Sequence, residues 1–324
     1  MNVRRRLIRN SAVPAVTALT LTALSTLSTL SACSGASAAG NTDKFDVVAS
    51  FYPMAFLAER IGGSHVHVTS LTRPGQEPHD LEISARETVR LQESDAVLYL
   101  KNLQPSVDKA VAQSEVKTKI DAASFTTLEK HGNEVGGHAA EHDTSENEEL
   151  AGLDPHIWLD PVRYAQVAQG VGKAFEKADP GHAADYRKNT AALVGKLDAL
   201  DEQFKKGLAN TRTKVFITTH AAFGYLAERY GLTEEAINGL DPDSEPSAAR
   251  VRSLEKMAKA DGVTTVFYET LVSDKTAKTV AADAGLRTDV LDPIEGITDK
   301  SRGTDYFSVQ EANLKALQKA LGTK

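Results

Sequence analysis

The chain has 324 residues, of which 41% are hydrophobic and 25% are charged, and its formal net charge is −7. This composition is typical of a globular protein with room for two domains of ordinary size, and the acidic balance argues against a nucleic-acid partner. The chain has one cysteine, which excludes an intramolecular disulfide.

The N-terminal segment predicts export. Four arginines lie among the first nine residues, residues 15–30 are mostly apolar, and small residues surround Cys33. This order is typical of a secretory signal peptide. The end of the segment, Leu30-Ser-Ala-Cys33, resembles the lipobox of bacterial lipoproteins. We therefore predict a signal peptide over 1–32 and a lipid on Cys33; a cleaved signal with an unpaired cysteine and a retained membrane anchor are the alternatives.

Lipidation at Cys33 would attach the protein to the outer face of the bacterial cell membrane, with residues 33–44 as a flexible tether. Removal of the signal peptide leaves 33 basic and 44 acidic residues, a net charge of −11. This charge is compatible with an extracytoplasmic carrier of cations.

Beyond residue 44, short apolar runs alternate with stretches of helical periodicity. The pattern predicts strands over 46–51, 65–71 and 96–100, and helices over 54–61 and 84–93. Alternation of this kind indicates a parallel sheet with helices on its faces. Residues 130–150 interrupt it, because residues 130–149 are polar and contain Val135 as their one large apolar residue, and they predict a loop.

A helix over 162–177 is followed by a helical stretch from 183 to about 210, which would be roughly 40 Å long. Alternation then resumes, with strands over 215–219, 264–268 and 288–291 and helices over 223–230, 248–260, 275–284 and 306–321. The predicted fold class is α/β, with two open α/β lobes containing parallel sheets and joined by one long rigid helix. The predicted parts are an N-terminal lobe over 45–178, a linking helix over 179–210 and a C-terminal lobe over 211–324.

Three histidines follow predicted strands or lie on loops stiffened by proline. His79 follows Glu77-Pro78, His156 lies between two Asp-Pro pairs, and His220 directly follows the strand over 215–219. Ligands of open α/β sheets bind beyond the carboxyl ends of the strands, where Asp292 also falls. Imidazoles gathered at one point suit a transition metal such as zinc. The sequence therefore predicts a metal site in the cleft between the lobes.

From residue 45 to the C-terminus, the chain resembles the solute-binding lipoproteins of zinc and manganese ABC transporters. The resemblance rests on five segments in the same order: VASFYP (48–53), PGQEPHD (74–80), DPHIWLDP (154–161), THAAFGY (219–225) and LDP (291–293). It implies two lobes that enclose one metal ion, with His79, His156, His220 and Asp292 as ligands. It also implies delivery of the ion to an ABC permease by a monomeric carrier.

The third histidine favours zinc, since a glutamate in place of His220 would give the oxygen-rich site that suits manganese. Further residues have open roles. Glu77, Asp80 and Glu269 could orient the ligand imidazoles or be structural. The loop histidines His131, His138 and His142 could form an auxiliary zinc-capture loop, or the loop could be a solvated acidic linker.

The expected function is therefore capture of one Zn²⁺ per chain outside the membrane, without catalysis. The alternatives are a manganese or broader divalent-metal carrier, an adhesin of the same fold, and a zinc hydrolase. A catalytic zinc needs an open coordination position and a general base, whereas three histidines and Asp292 would fill a tetrahedron. The chain also lacks the His-Glu-x-x-His and Gly-x-Ser-x-Gly motifs of common hydrolases.

Overall fold

The structure, a computed structural model, describes residues 44–131 and 152–323. The predicted signal peptide, Cys33, His138 and His142 lie outside the described residues. Across the described part of the chain, no helix is both long enough and apolar enough to span a bilayer.

The N-terminal lobe contains a parallel sheet in the order β2-β1-β3-β4. Its strands are β1 (Phe45–Ala49), β2 (Val66–Ser70), β3 (Ala96–Tyr99) and β4 (Thr118–Asp121). The helices that connect them are α1 (Tyr52–Gly62), α2 (Ala85–Glu93) and α3 (Pro105–Gln113). Val47, Val48 and Ala49 of the central strand β1 are at most 1% exposed, as expected for a parallel sheet covered on both faces.

The C-terminal lobe repeats this topology with a parallel sheet in the order β6-β5-β7-β8. Its strands are β5 (Val215–Thr218), β6 (Thr233–Ala236), β7 (Thr265–Tyr268) and β8 (Arg287–Val290). In each sheet the chain pairs its second strand with one side of the first and then crosses to the other side. The resulting switch points, between β1 and β3 and between β5 and β7, are where such sheets bind ligands.

Two long helices, α4 (Pro161–Ala178) and α5 (Ala183–Leu208), follow the first sheet and precede the second along the chain. They pack side by side. With 26 residues, α5 is about 39 Å long. Its buried apolar side chains recur three, four or seven residues apart, so they lie on one face: Tyr186, Leu193, Leu197, Leu200, Phe204 and Leu208. That face packs against α4, α1 and the C-terminal helix α9 (Tyr306–Leu321). The two parallel-sheet lobes and the long helix confirm the predicted fold class.

The largest apolar core is shared by both lobes. It includes Phe56 of α1, Phe204 of α5, Phe267 of β7 and Leu317 of α9, each at most 3% exposed. The remaining helices of the C-terminal lobe are α6 (Gly224–Arg229), α7 (Ala248–Ala260) and α8 (Lys275–Ala284), and α7 and α8 contribute to a smaller separate core. Close-packed protein interiors have few voids and low compressibility. The shared core therefore holds side chains from the two lobes in a fixed relation.

Candidate metal centre

Local hydrogen bonds hold the backbone of two of the three predicted histidines, and the third follows a strand. In the loop after β2, the backbone N–H of His79 donates to Oε1 of Glu77 (2.9 Å). The backbone N–H of His156 donates to Oδ1 of Asp154 (2.9 Å), just before the short 3₁₀ turn at Ile157–Leu159. His220 lies two residues beyond the end of β5, at the switch point of the C-terminal sheet.

The structure brings these three imidazoles together with Glu295. One potential ligand atom from each of the four residues lies within 4.8 Å of the others. Oε1 of Glu295 is 3.3 Å from Nε2 of His79, 3.4 Å from Nε2 of His156 and 3.7 Å from Nε2 of His220. Two of these residues precede the linking helix and two follow it, so the group lies between the lobes.

The group is almost fully enclosed. His156, His220 and Glu295 are at most 2% exposed, whereas the side chain of His79 is 12% exposed. Nε2 of His156 and Nε2 of His220 have no hydrogen-bond partner among the residues that the structure describes. Buried nitrogens without a partner are costly, and a coordinated cation would satisfy both. His79 is the member of the group that solvent reaches.

The predicted carboxylate ligand, Asp292, does not join this group, and Glu295 occupies the fourth position instead. Oδ1 of Asp292 accepts from the backbone N–H of Ile294 (2.8 Å), and its Oδ2 accepts from Oγ1 of Thr270 (3.1 Å). Asp292 was the apparent candidate because it follows β8, whereas Glu295 lies three residues further along the chain. Between them lies Ile294, whose φ is +60°.

Two buried carboxylates hold the other nitrogen of the enclosed imidazoles. Nδ1 of His156 is 2.7 Å from Oδ1 of Asp154, and Nδ1 of His220 is 2.8 Å from Oε1 of Glu269. A carboxylate at Nδ1 fixes the ring and keeps the proton on that nitrogen, which leaves the Nε2 lone pair for a metal. Glu269 was considered for this role from its position after β7, but Asp154 was missed, although it lies two residues before His156.

Electrostatics of the group favour a positive charge at its centre. Burial by itself would raise the pKa of Glu295, but the neighbouring imidazoles of His156, His220 and His79 hold that pKa well below its usual range. Burial would lower the pKa of His220, yet Glu269 and Glu295 hold it well above the usual range. Burial likewise opposes a rise in the pKa of His156, and Asp154 and Glu295 outweigh it. A metal cation that entered the group would therefore displace protons from both imidazoles.

The other predicted residues have different surroundings. Glu77 contacts the backbone of His79 rather than its ring, and it approaches Glu269 and Glu295 within 4.8 Å. Burial, followed by the charge of Glu295, raises the pKa of Glu77 to about 9. Asp80 is exposed and faces Asp241 and Asp243, and it is not among the carboxylates that lie within 4.8 Å of the imidazole nitrogens in the described residues.

His131, the loop histidine within the described residues, lies behind His156. Its Nδ1 is 2.9 Å from Oδ2 of Asp154, so Asp154 bridges the two imidazoles. His131 also approaches Glu129 and Glu228 closely enough to form a possible metal-binding group. The guanidinium of Arg163 already contacts both glutamates, so a cation from the chain itself balances their charge.

Comparisons with known proteins agree with this architecture. Residues 47–320 match the family described as zinc-uptake complex component A, periplasmic. The zinc-binding lipoprotein AdcA of Streptococcus pneumoniae is 36% identical over 281 residues, covering 85% of this chain and 55% of AdcA. The high-affinity zinc uptake system protein ZnuA of Bacillus subtilis is 33% identical over 291 residues, covering 87% of this chain and 89% of ZnuA.

A solved structure is also similar over most of the chain. The Zn(II)-bound ZnuA-like domain of Streptococcus pneumoniae AdcA has a TM-score of 0.70 and 34% sequence identity, covering 86% of this chain and 99% of that domain. The chain therefore spans about half the length of the AdcA relatives that it matches and nearly all of their ZnuA-like domain. From this coverage and identity, the chain belongs to the periplasmic zinc-uptake complex component A family.

Proposed function

We propose that this protein captures one Zn²⁺ outside the cytoplasm and delivers it to an ABC permease. His79, His156, His220 and Glu295 bind the ion. The observation that carries the proposal is the convergence of three Nε2 atoms on one carboxylate oxygen within 3.7 Å, in a group of which three members are at most 2% exposed. The zinc-related names of the relatives support the same assignment.

The donor set favours zinc over manganese. Three imidazole nitrogens and one carboxylate oxygen match the tetrahedral nitrogen-rich sites in which zinc is bound. Manganese prefers oxygen donors and a higher coordination number. Asp292 would supply a second oxygen, but both of its carboxylate oxygens already accept hydrogen bonds from the chain.

The same donor set favours binding over hydrolysis. Four protein ligands complete a tetrahedron, whereas a catalytic zinc keeps one position for water. The carboxylates nearest to the ligands, Asp154 and Glu269, are hydrogen-bonded to Nδ1 of His156 and His220. They orient the imidazoles and are poorly available as general bases.

Ion access and delivery follow from the exposure of the ligands. His79, with 12% of its side chain exposed, is the first ligand that an ion from solvent reaches. A lipid on Cys33 would keep the monomeric carrier at the membrane surface near its permease, and the tether over 33–44 would give it reach. His131, together with His138 and His142, would supply a weaker capture site at the loop.

The proposal is tested by metal analysis and competition titration of the purified chain. We expect about one zinc per chain, with Zn²⁺ bound more tightly than Mn²⁺ in the presence of a chelator. Replacement of an enclosed ligand by alanine, as in His156→Ala, should lower zinc affinity at least about tenfold, since even residues that only support metal ligands contribute this much. His67→Ala is a matched control, because the side chain of His67 is 52% exposed and lies outside the group.

The outcomes distinguish the candidate functions. Unchanged zinc affinity in His156→Ala would remove this residue from the ligand set. Tighter binding of Mn²⁺ than of Zn²⁺ would favour the manganese carrier. Peptide or ester turnover by the zinc-loaded protein, abolished with the metal, would contradict a closed binding site.

A further inference from the structure

A strained residue lies next to the proposed carboxylate ligand. Ile294, which directly precedes Glu295, has φ of +60° and is fully buried. A β-branched residue is rarely found in this left-handed region, because its branched side chain crowds the backbone. Strain of this kind is costly and persists only where surrounding contacts impose it.

The side chain of Asp292 is one of the contacts that impose it. Its Oδ1 accepts from the backbone N–H of Ile294 (2.8 Å), and this bond closes the turn between the two residues. Its Oδ2 accepts from Oγ1 of Thr270 (3.1 Å), in the loop after β7. Asp292 is 2% exposed and both of its carboxylate oxygens are engaged.

Two further residues hold the backbone on either side of the turn. The side chain of Asn313 on α9 accepts from the backbone N–H of Asp292 (2.9 Å) and donates to its carbonyl oxygen (2.7 Å). The indole N–H of Trp158 donates to the carbonyl oxygen of Pro293 (2.7 Å). Trp158 lies two residues after His156, so this bond connects the segment carrying one proposed ligand to the turn carrying another.

By contrast, the side chain of Glu295 has no hydrogen-bond partner among the described residues other than the imidazole of His79, whose Nε2 lies 3.3 Å from its Oε1. Its Oε1 faces the three imidazoles, and its Oε2 has no hydrogen-bond partner among the described residues. The direction of this side chain is therefore set by the backbone of the turn before it.

We propose that Asp292 is a positioning residue for zinc binding: it stabilises the left-handed conformation of Ile294 and thereby directs Glu295 toward the three imidazoles. This inference rests on the proposed ligand set. Asp292 acts through hydrogen bonds to Ile294 and Thr270, and neither its charge nor direct coordination of the metal is required. Without the brace, Ile294 relaxes toward negative φ and Glu295 is directed away from the imidazoles.

The test compares two substitutions that a metal ligand and a brace tolerate differently. Asp292→Asn keeps an oxygen to accept from Ile294 and an amino group to donate to Thr270, but it removes the negative charge. Asp292→Ala removes both contacts. We expect Asp292→Ala to lower zinc affinity by about tenfold or more, as measured by chelator competition, because supporting residues of metal sites contribute 10–100-fold. The zinc affinity of Asp292→Asn should remain close to that of the unaltered protein.

A double-mutant cycle with Glu295→Gln separates positioning from a general loss of stability. If Asp292 acts only through Glu295, then Asp292→Ala should weaken binding no further once Glu295→Gln is present. The visible spectrum of the cobalt(II)-substituted protein gives a second readout. Asp292→Ala should shift the cobalt bands in the same direction as Glu295→Gln, whereas Asp292→Asn should leave them in place.

Asp289→Ala is a matched control. Asp289 is a carboxylate on β8 that accepts from the backbone N–H of Val290 (2.9 Å) and pairs with Arg302 (2.6 Å) and Lys319 (3.0 Å), without contact to the turn. Its replacement should lower thermal stability and leave zinc affinity unchanged. If Asp292→Ala does not fold, Thr270→Val removes one of the two contacts and should cause a smaller loss of affinity that is again absent with Glu295→Gln.

Three results would overturn the inference. Equal weakening by Asp292→Asn and Asp292→Ala would make the charge of Asp292 essential. Unaltered affinity in Asp292→Ala would remove its role altogether, and additive effects with Glu295→Gln would show that it acts independently of Glu295. If Glu295→Gln itself leaves affinity unchanged, the proposed ligand set fails, and that result is distinct from the other three.

Discussion

Replacement of Glu269 by glutamine should change how zinc binding depends on pH. Oε1 of Glu269 lies 2.8 Å from Nδ1 of His220 and also accepts from Oγ1 of Thr219 (3.1 Å), and Glu269 is 3% exposed. Glutamine has nearly the same volume and retains an oxygen that can accept from Nδ1. The substitution therefore removes the charge while keeping the orientation of the ring.

Loss of this charge has two opposite effects on zinc affinity. The carboxylate makes the imidazole of His220 a stronger ligand, so its removal should weaken intrinsic binding about 10–100-fold, or about 1.4–2.8 kcal/mol. However, burial would lower the pKa of His220 and it is Glu269, with Glu295, that holds this pKa well above the usual range. Zinc must displace the resulting proton, and Glu269→Gln makes that proton easier to displace.

The two effects separate with pH. Below the pKa of an imidazole in the folded protein, each displaced proton makes the logarithm of zinc affinity rise by about one per pH unit. Because zinc displaces protons from His156 and His220, the logarithm of zinc affinity of the unaltered protein should rise with pH with a slope that approaches about two. Glu269→Gln should reduce this slope by about one near neutral pH. The loss of zinc affinity in Glu269→Gln, relative to the unaltered protein, should be largest at high pH and become smaller as pH falls.

Chelator competition between about pH 6 and pH 9, in steps of half a unit, measures both slopes, because this interval spans the ordinary histidine pKa and the range above it. Asp274→Asn is a control with the same change of charge at an exposed pair with Lys278. Parallel lines for Glu269→Gln and the unaltered protein would refute the reasoning, since the carboxylate would then not control the proton on His220.

Three further predictions concern stability. Gly172→Ala places a methyl group against the side chain of Thr190, where α4 meets α5, and should lower the free energy of unfolding by about 1–3 kcal/mol in denaturant titration. Gly195→Ala, whose added carbon meets no atom within 4 Å outside its own helix backbone and chain neighbours, should raise that free energy by about 0.5–1 kcal/mol. Equal effects of the two substitutions would contradict the close approach of Thr190 to Gly172. Trp158→Phe leaves the carbonyl oxygen of Pro293 buried without its donor and should cost about 1–3 kcal/mol and also weaken zinc binding; a loss of stability alone would show that the turn does not depend on this bond. The metal-free protein should become less stable as pH rises above about 6.5. The raised pKa of His220 contributes stability that is complete below the pKa of this histidine in the unfolded chain and is lost as pH rises through its pKa in the folded protein. The pKa of Glu77, raised to about 9, acts in the same direction. Thermal melts with and without zinc would measure this as a zinc-induced shift that grows with pH, and a shift independent of pH would contradict it.

Much of the fold could be predicted from the sequence, because its signals are local. Central strands such as β1 and β3 are runs of apolar residues, and α5 shows one apolar face over 26 residues. The elements that were missed are β4, β6 and α3. The strands β4 (TKID) and β6 (TEEA) lie at sheet edges, where charged residues are favoured because they discourage pairing with other chains, so neither has the hydrophobic pattern of a strand.

The candidate site was predictable in part for the same reason. His220 could be identified as a candidate ligand because the apolar, β-branched run before it predicts a strand. His156 could be identified because two Asp-Pro pairs stiffen its loop. Glu295 has neither signal, since it lies in an irregular segment three residues beyond Asp292. In the proposed arrangement its direction depends on the left-handed conformation of Ile294, and an isoleucine in a sequence predicts no such conformation.

The sequence by itself determined which segments become strands and helices, and which histidines stand at the ends of those segments. These properties depend on residues close together in the chain. The tertiary structure decided which carboxylates lie beside those histidines, because their positions depend on contacts among distant segments. Asp292 accepts hydrogen bonds from the side chains of Thr270 and Asn313. Trp158 of the other lobe donates to the carbonyl oxygen of Pro293 in the same turn, and Oε1 of Glu295 faces the imidazoles.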